Sequence, residues 1–287
     1  MIAIVGVVVL LVMVFGGFAL SGGSLGPVFK ALPFEFLIIG GAATGALLIG
    51  SSVPLMKQVG AGFGRVVKGP RFRKEDYLAA IFLTVKLMRL LKAEGAVAVE
   101  QHVENPESSS IWAEYPSLKA DHFFVALVCD TLRLLVVSTG TVSSVAIEDV
   151  LDTAIETHHE HAMKPAHAIQ TMADALPALG IVAAVLGIVK TMGAIDQPPS
   201  VLGGMIGAAL VGTFLGVFLS YGLVGPCAAR LKEIIDTDAQ IYQVVRRVIL
   251  ASMRNQPQPI VLEQARTAIG PDMQPSFSDV FEGARGK

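Results

Sequence analysis

The sequence predicts an all-α membrane protein with four transmembrane helices, a large helical cytoplasmic domain inserted between helices 2 and 3, and a cytoplasmic C-terminal tail. Three observations predict this class. Of the 287 residues 53% are hydrophobic and only 16% are charged, whereas about 25% charge is typical of soluble domains. Four apolar runs cover residues 1–20, 36–56, 175–189 and 201–229. The rest of the chain shows helical spacing and no strand pattern.

Lysine and arginine near the ends of the runs predict the orientation, because cytoplasmic loops carry an excess of these residues. They cluster directly after the second and fourth runs, as Lys57, Arg65, Lys68, Arg71, Arg73 and Lys74 and as Arg230 and Lys232. We therefore expect both termini in the cytoplasm. No basic residue precedes the first run and no small-residue cleavage site follows it, so the sequence predicts a retained helix and no cleaved signal peptide.

These runs divide the chain into four segments. They are a transmembrane hairpin at 1–56, a cytoplasmic helical domain at 57–172, a second transmembrane hairpin at 173–229, and a cytoplasmic helix and tail at 230–287. Within the cytoplasmic domain, spacing predicts an amphipathic helix that ends at Gly140 and another that begins near Ser143 and runs on toward the third membrane helix. The fourth membrane helix is predicted to continue to about Arg254, until Pro257 and Pro259 stop it.

The second hairpin carries a proline in each arm, Pro177 and Pro226. A proline cannot donate to the carbonyl four residues earlier, so the carbonyls of Ala173 and Gly222 are predicted to lose their helical partners. Two such kinks at similar depth indicate a hinge or a polar spot along a path. The alternative is that each proline merely marks a helix boundary.

Proton movement through a membrane normally requires an ionisable side chain within it. The acids Glu35, Asp174 and Asp196 lie toward the ends of the apolar runs, and none is predicted in the middle of a helix. Thr213 is polar and lies well inside the fourth run, but a hydroxyl cannot hold a proton charge at ordinary pH. If the chain moves ions, the titrating carboxylate is therefore predicted to come from a partner chain.

No nucleophile elbow, P-loop or dinucleotide fingerprint is present, so the sequence does not indicate an enzyme. His158 and His161 share a helical face, but no Cys or further acid of ligand spacing accompanies them. A solvated helix face is favoured there, and no metal is expected. The net charge of −2 does not indicate a nucleic-acid partner.

Lys86, Arg89 and Lys92 recur every three residues and form a basic ridge on the first cytoplasmic helix, with Glu100 following. Two interpretations remain open. The ridge is either a solvated helix face or an electrostatic docking surface for a cytoplasmic protein.

Five segments resemble one family, the MotA subunits of bacterial flagellar stators. They are residues 15–26 (FGGFALSGGSLG), 103–106 (VENP), 155–158 (IETH), 176–187 (LPALGIVAAVLG) and 211–216 (VGTFLG). The resemblance runs nearly end to end and includes the four-helix order with one large insertion. It implies a multi-pass protein of the bacterial inner membrane that acts in motility and chemotaxis.

The resemblance also implies partners. Five such chains would surround two MotB chains within membrane lipid, and each MotB would supply one membrane helix with a proton-binding Asp. The prolines that couple ion transfer to conformational change in this family fall on Pro177 and Pro226. The family threonine near the ion path falls on Thr213. Sodium-driven relatives carry threonine at the position of Ala184, so the alanine implies that the transported ion is a proton. No cofactor is expected besides the transported proton.

Family charges that engage the rotor protein FliG fall on Lys92, where relatives often have arginine, and on Glu100. Lysine keeps the charge but lacks the fork geometry of a guanidinium group. The expected function is thus a stator subunit that, with MotB, converts proton flow into torque on the rotor. Two alternatives are an energiser of an outer-membrane process like ExbB or TolQ, whose members have three membrane helices, and a membrane scaffold that conducts no ions.

Overall fold

The computed structural model describes residues 2–138 and 142–285, and every regular element in those residues is helical. In chain order the helices are α1 (Ile2–Leu11), α2 (Gly17–Leu20), α3 (Leu25–Gly50), α4 (Val53–Lys68), α5 (Lys74–Glu94), α6 (Ala96–Glu104), α7 (Ser110–Ala113), α8 (Pro116–Lys119), α9 (His122–Val137), α10 (Ser144–Met192), α11 (Pro199–Val217), α12 (Gly225–Met253), α13 (Gln258–Thr267) and α14 (Phe277–Arg285). Gly140, the predicted end of an amphipathic helix, lies outside the described residues.

Two π-helical segments, Val12–Gly16 and Phe218–Val224, join α1 to α2 and α11 to α12. Four continuous helices are therefore long and apolar enough to cross a membrane, and we call them the first to fourth membrane helices: Ile2–Leu20, Leu25–Gly50, Ser144–Met192 and Pro199–Met253. The third has 49 residues and the fourth 55, more than twice the roughly 20 needed for a bilayer. The predicted continuation of both helices beyond their apolar runs is confirmed.

The chain forms two compact units. The first, here the membrane unit, comprises Met1–Gly69 and Met163–Ile234, and the second comprises Pro70–Ala162 and Ile235–Lys287. The second unit has its own apolar core, in which Tyr77, Trp112 and Phe124 are fully buried. Each such side chain contributes about 1.5–3 kcal/mol through burial, so this core accounts for a large part of the unit's stability.

The second membrane helix begins earlier than the apolar run that predicted it. It starts at Leu25, eleven residues before Phe36, and ends at Gly50. Lys30 and Glu35 interrupt the apolar pattern. They do not interrupt the helix, because lysine and glutamate adopt the helical backbone conformation readily. A new helix, α4, then starts at Val53 after an extended Ser52.

The sequence analysis did not predict α4, which is amphipathic. Its buried face consists of Val59, Gly62 and Val66, spaced three and four residues apart. A Cβ atom built on Gly62 would lie 2.8 Å from the Leu231 side chain, so this glycine allows α4 to pack closely. The basic residues that predicted the orientation of the second run belong in part to the opposite side of this helix.

No described residue of the first membrane helix is buried, as is typical of a helix that is apolar on all sides and faces lipid. Its Phe15 ring contacts three other rings, with centroids 6.1 Å from Phe29, 6.1 Å from Phe214 and 5.8 Å from Phe218. This aromatic cluster attaches the helix to the second and fourth membrane helices.

The third and fourth membrane helices touch through their backbones. A Cβ atom built on Gly216 would lie 2.6 Å from the Leu176 carbonyl oxygen, and one built on Gly180 would lie 2.8 Å from the Gly212 carbonyl oxygen. Only glycine fits at these two positions, as expected for small residues at a helix crossing in lipid. By contrast, a Cβ atom on Gly207 would meet nothing within 4 Å.

This difference gives a prediction. Gly216→Ala forces a methyl group against the Leu176 carbonyl and should lower the free energy of unfolding by about 1–3 kcal/mol. Gly207→Ala, in the same helix but with open space, should be neutral or slightly stabilising because alanine favours a helix. The melting temperatures of both variants in detergent micelles check this. Equal melting temperatures would show that the backbone contact is absent.

Candidate functional site

Pro177 lies in the interior of α10, far from either end, and Pro226 lies within the continuous fourth membrane helix. The interpretation of either proline as a helix boundary is therefore wrong. A Cβ atom built on Gly225 would lie 4.0 Å from the Ala173 Cβ. Ala173 is the residue whose carbonyl Pro177 leaves without a donor, and Gly225 precedes Pro226. The structure thus brings the two proline-containing turns together.

A π-helical segment, Phe218–Val224, immediately precedes Pro226. At its end the Gly225 N–H donates to the Ser220 carbonyl, five residues earlier. The wider helical turn accommodates the proline without ending the helix, and π-helical turns are frequent at functional sites. The sequence analysis predicted a kink at Pro226 and missed this segment, because π-helical turns carry no distinctive residue pattern.

The other two predicted ion-path residues lie farther along the same pair of helices. Thr213 is half-buried and follows Gly212, whereas Ala184 is buried and follows Ala183. A Cβ atom on Gly212 would lie 3.2 Å from the Ala183 Cβ. The residues adjacent to Thr213 and Ala184 are therefore neighbours, and the two predicted path residues lie at one level of the hairpin.

Glu35 overturns the prediction that no acid lies in the middle of a membrane helix. It is ten residues past the start of the second membrane helix, about 15 Å along its axis, and only 8% exposed. Its Oε2 atom would lie 2.6 Å from a Cβ atom on Gly212, so the carboxyl group occupies space that the glycine leaves free. Among the described residues, Oε2 has no hydrogen-bond partner.

Glu35 lines a cleft of about 640 Å³ between the second, third and fourth membrane helices. Two lysines, Lys30 and Lys190, and the hydroxyl-bearing Thr191 also line it. The remaining lining residues are small or apolar: Gly26, Pro27, Ala31, Phe34, Gly187, Gly204, Met205, Ala208 and Ala209, with Ser24 at the loop end. The cleft thus runs from the loop that precedes the second helix to an acid inside that helix.

The basic ridge of α5 is not a free cationic surface. Lys86 pairs with Glu114 at 2.7 Å, and Arg89 donates to Gln258. Lys92 donates to the Ser252 carbonyl, and to the Asn255 side chain at 2.9 Å. Lys92 therefore caps the C-terminal end of α12, where a cation also interacts favourably with the helix dipole. Glu100 lies on α6 and is exposed.

The sequence analysis missed a charge network in the second unit. Arg246, largely buried, donates to Asp152, and also to Glu148 at 2.6 Å. Arg254 also forms a salt bridge with Glu148, at 2.6 Å. The hydrogen bond that Arg246 donates to the Asp152 carboxylate is the main cause that raises the pKa of Arg246. These partners are about a hundred residues apart in sequence, so no local spacing could reveal them.

Comparison with known proteins identifies the family. The model described as "Motility protein A N-terminal" matches residues 4–95, and that of the "MotA/TolQ/ExbB proton channel family" matches residues 120–244. Motility protein A of Salmonella typhimurium is 34% identical over 285 residues, which cover 99% of this chain and 95% of that protein. Chemotaxis protein LafT of Vibrio parahaemolyticus is 34% identical over 96% of this chain and 95% of its own length.

The chain belongs to the motility protein A family. Its fold agrees with the solved structure of C. jejuni MotAB, with a TM-score of 0.72, 19% identity and coverage of 94% of this chain and 96% of that one. It is a membrane protein and a stator subunit of the flagellar motor, as the sequence predicted. The match of residues 4–95 includes the first hairpin, the feature that distinguished this family from ExbB-like energisers.

One histidine of the motility protein A chain is not on a solvated face, contrary to the prediction. The His158 ring is half-buried and stacks on Phe123, with centroids 3.7 Å apart and planes at 3°. Tyr242 meets both rings edge-on, 4.8 Å from Phe123 and 5.3 Å from His158. Burial lowers the pKa of His158 below its ordinary value of 6.5.

This stacking predicts a pH dependence. Because the folded protein disfavours the charged ring, the unfolded state binds more protons, and the stability of the second unit should fall as pH decreases below about 6.5. His158→Phe keeps the stacking and should weaken this dependence of the melting temperature between about pH 5 and 8. Part of the pH dependence should remain in this variant, because His102 is buried against Ser109 and its pKa is also lowered.

His122→Gln provides the control, because His122 is exposed at the start of α9. This variant should retain the pH dependence of the wild type. If His158→Phe and His122→Gln gave the same profile, the stacked ring would not titrate as described.

Proposed function

We propose that this chain forms, with MotB, a proton-driven stator in which five copies surround two MotB chains. Protons would enter from outside between the third and fourth membrane helices and the MotB helix, and would then protonate the MotB Asp. Its neutralisation would change the contact with the turns that carry Pro177 and Pro226. The ring of five chains would then step around MotB and push the rotor.

The observation that carries this proposal is the approach of the two proline-containing turns at Ala173 and Gly225. Both turns belong to helices that also meet through glycines at Gly180 and Gly216. A helix pair held by backbone contacts has few interlocking side chains to rearrange, so it can change its relative position at low cost. The π-helical segment before Pro226 adds a second place where the helical hydrogen bonds can shift.

The energy of one proton is sufficient for such a change. A proton that crosses about 150 mV releases roughly 3.5 kcal/mol, at about 2.3 kcal/mol per 100 mV. Shifting a two-state contact from 1:99 to 99:1 requires about 5.5 kcal/mol of differential stabilisation. One proton would therefore shift the populations strongly, and two, at roughly 7 kcal/mol, would exceed this requirement.

In this proposal the chain lies in the inner membrane, with both termini and the second unit on its cytoplasmic side. The support is the basic residues of α4 and of the start of α12, among them Arg65, Lys68 and Arg230. Alanine at position 184 supports a proton rather than sodium as the transported ion, with no other cofactor. Lys92 and Glu100 are proposed to meet FliG, with Lys92 anchored by its contact with the end of α12.

The test of this function is deletion of the gene in its own host, followed by observation of single cells tethered by a filament. Normal filaments that no longer turn, and that turn again with the wild-type gene, are the expected result. Filaments that rotate at normal speed without the gene would contradict the assigned role.

The hinge role gives a separate prediction. Pro177→Ala restores a helical hydrogen bond to Ala173 and should stop rotation while leaving co-purification with MotB unchanged. Pro165→Ala is the matched control, because Pro165 lies in the same helix twelve residues earlier and is not at the crossing. Tethered-cell rotation measures both. Normal torque in Pro177→Ala cells would show that this proline is not the hinge.

A further inference from the structure

The proposed mechanism assigns the proton to a carboxyl group of the partner and leaves the chain's own buried acid unused. Glu35 is only 8% exposed, and its Oε2 atom has no hydrogen-bond partner among the described residues. Placing a carboxylate in an apolar environment without a partner costs several kcal/mol. Ionisable residues inside membrane helices are accordingly rare and usually belong to ion pathways.

The surroundings of Glu35 contain few charges. Lys30, on the same helix, and Lys190, on the third membrane helix, line the cleft toward its loop end. The fourth membrane helix contributes to the cleft only Gly204, Met205, Ala208 and Ala209, and none of these titrates. Deeper in, the carboxyl group lies against Gly212, whose other near neighbour is Ala183. Nothing in this set pairs with Oε2, so the group is not explained as half of an ion pair.

The position of Glu35 links the cleft to the proposed path. The carboxyl group lies at the inner part of the cleft, against Gly212, and Thr213 is the next residue. A Cβ atom on Gly212 would lie 3.2 Å from the Ala183 Cβ. Ala183 directly precedes Ala184, the other predicted path residue. Glu35 is thus at the level where the third and fourth helices meet, with water-accessible space on its loop side.

We propose that Glu35 is a second proton-carrying group, which takes a proton from water in the cleft and passes it toward the partner's acid. This inference rests on the proposed function. The step is balanced: the carboxylate oxygen gains one proton from a hydronium ion, which leaves as water, and later gives that proton to the partner's carboxylate. No other bond changes.

The test is proton uptake by vesicles that contain the complex purified with its MotB-type partner, driven by a potassium diffusion potential and read by a pH-sensitive dye. Glu35→Gln has nearly the same shape but cannot exchange a proton. It should keep the composition of the complex and reduce the initial rate of uptake by about tenfold or more. Glu35→Asp retains a carboxyl group and should conduct, with a shifted dependence on external pH.

Asp196→Asn is the matched control, because it also removes one acid but lies exposed in the turn between the third and fourth membrane helices. It should leave uptake unchanged. Uptake by Glu35→Gln within about twofold of the wild type at every external pH would overturn the proposal. A wild-type complex that took up no protons would instead contradict the proposed function itself, so the two failures are distinguishable.

A second measurement applies if Glu35→Gln fails to assemble. A hydrophobic carbodiimide reacts with protonated carboxyl groups in apolar surroundings. Applied to the wild-type complex, it should modify the peptide that contains Glu35, as detected by mass spectrometry, and the extent should increase at lower external pH. Absence of this adduct at all pH values, while the partner's acid is modified, would overturn the proposal.

Discussion

At Gly180 and Gly216 the backbones of the third and fourth membrane helices are in direct contact, and the rest of the membrane unit is arranged around this contact. Gly216 lies against the carbonyl of Leu176, the residue before Pro177. One turn away, Gly212 leaves the space that the Glu35 carboxyl group occupies. A larger residue at Gly180, Gly212 or Gly216 would push the helices apart. The acid, the proline turns and the small residues thus depend on one close approach.

In the proposed mechanism, this contact is where a motility protein A subunit changes shape. Side chains that interlock resist sliding, whereas a glycine-lined contact offers a smooth surface. The prolines and the π-helical segment concentrate the weakest helical hydrogen bonds beside that surface. In the second unit, by contrast, charged side chains make specific contacts: Lys92 caps α12, and Arg246 bridges to Glu148 and Asp152.

The sequence predicted the parts of this structure that depend on composition and local spacing. Hydropathy predicted four membrane helices, and helical periodicity predicted the long extensions of the third and fourth. Glu35 was misplaced because the apolar run begins after it, whereas the helix begins at Leu25. Its burial depends on the glycine of another helix, Gly212, and that pairing leaves no trace in local sequence. The partner of Lys92 is 160 residues away for the same reason. Long-range contacts of this kind required the structure.

The central claim is that this chain supplies the walls of a proton path whose final acid belongs to a partner. The most direct measurement compares proton uptake by vesicles that contain the chain alone, the chain with MotB, and the chain with a MotB variant whose membrane Asp is replaced by Asn. The account predicts uptake only for the chain with unmodified MotB. Uptake by the chain alone, or by the complex that lacks the partner's Asp, would contradict it.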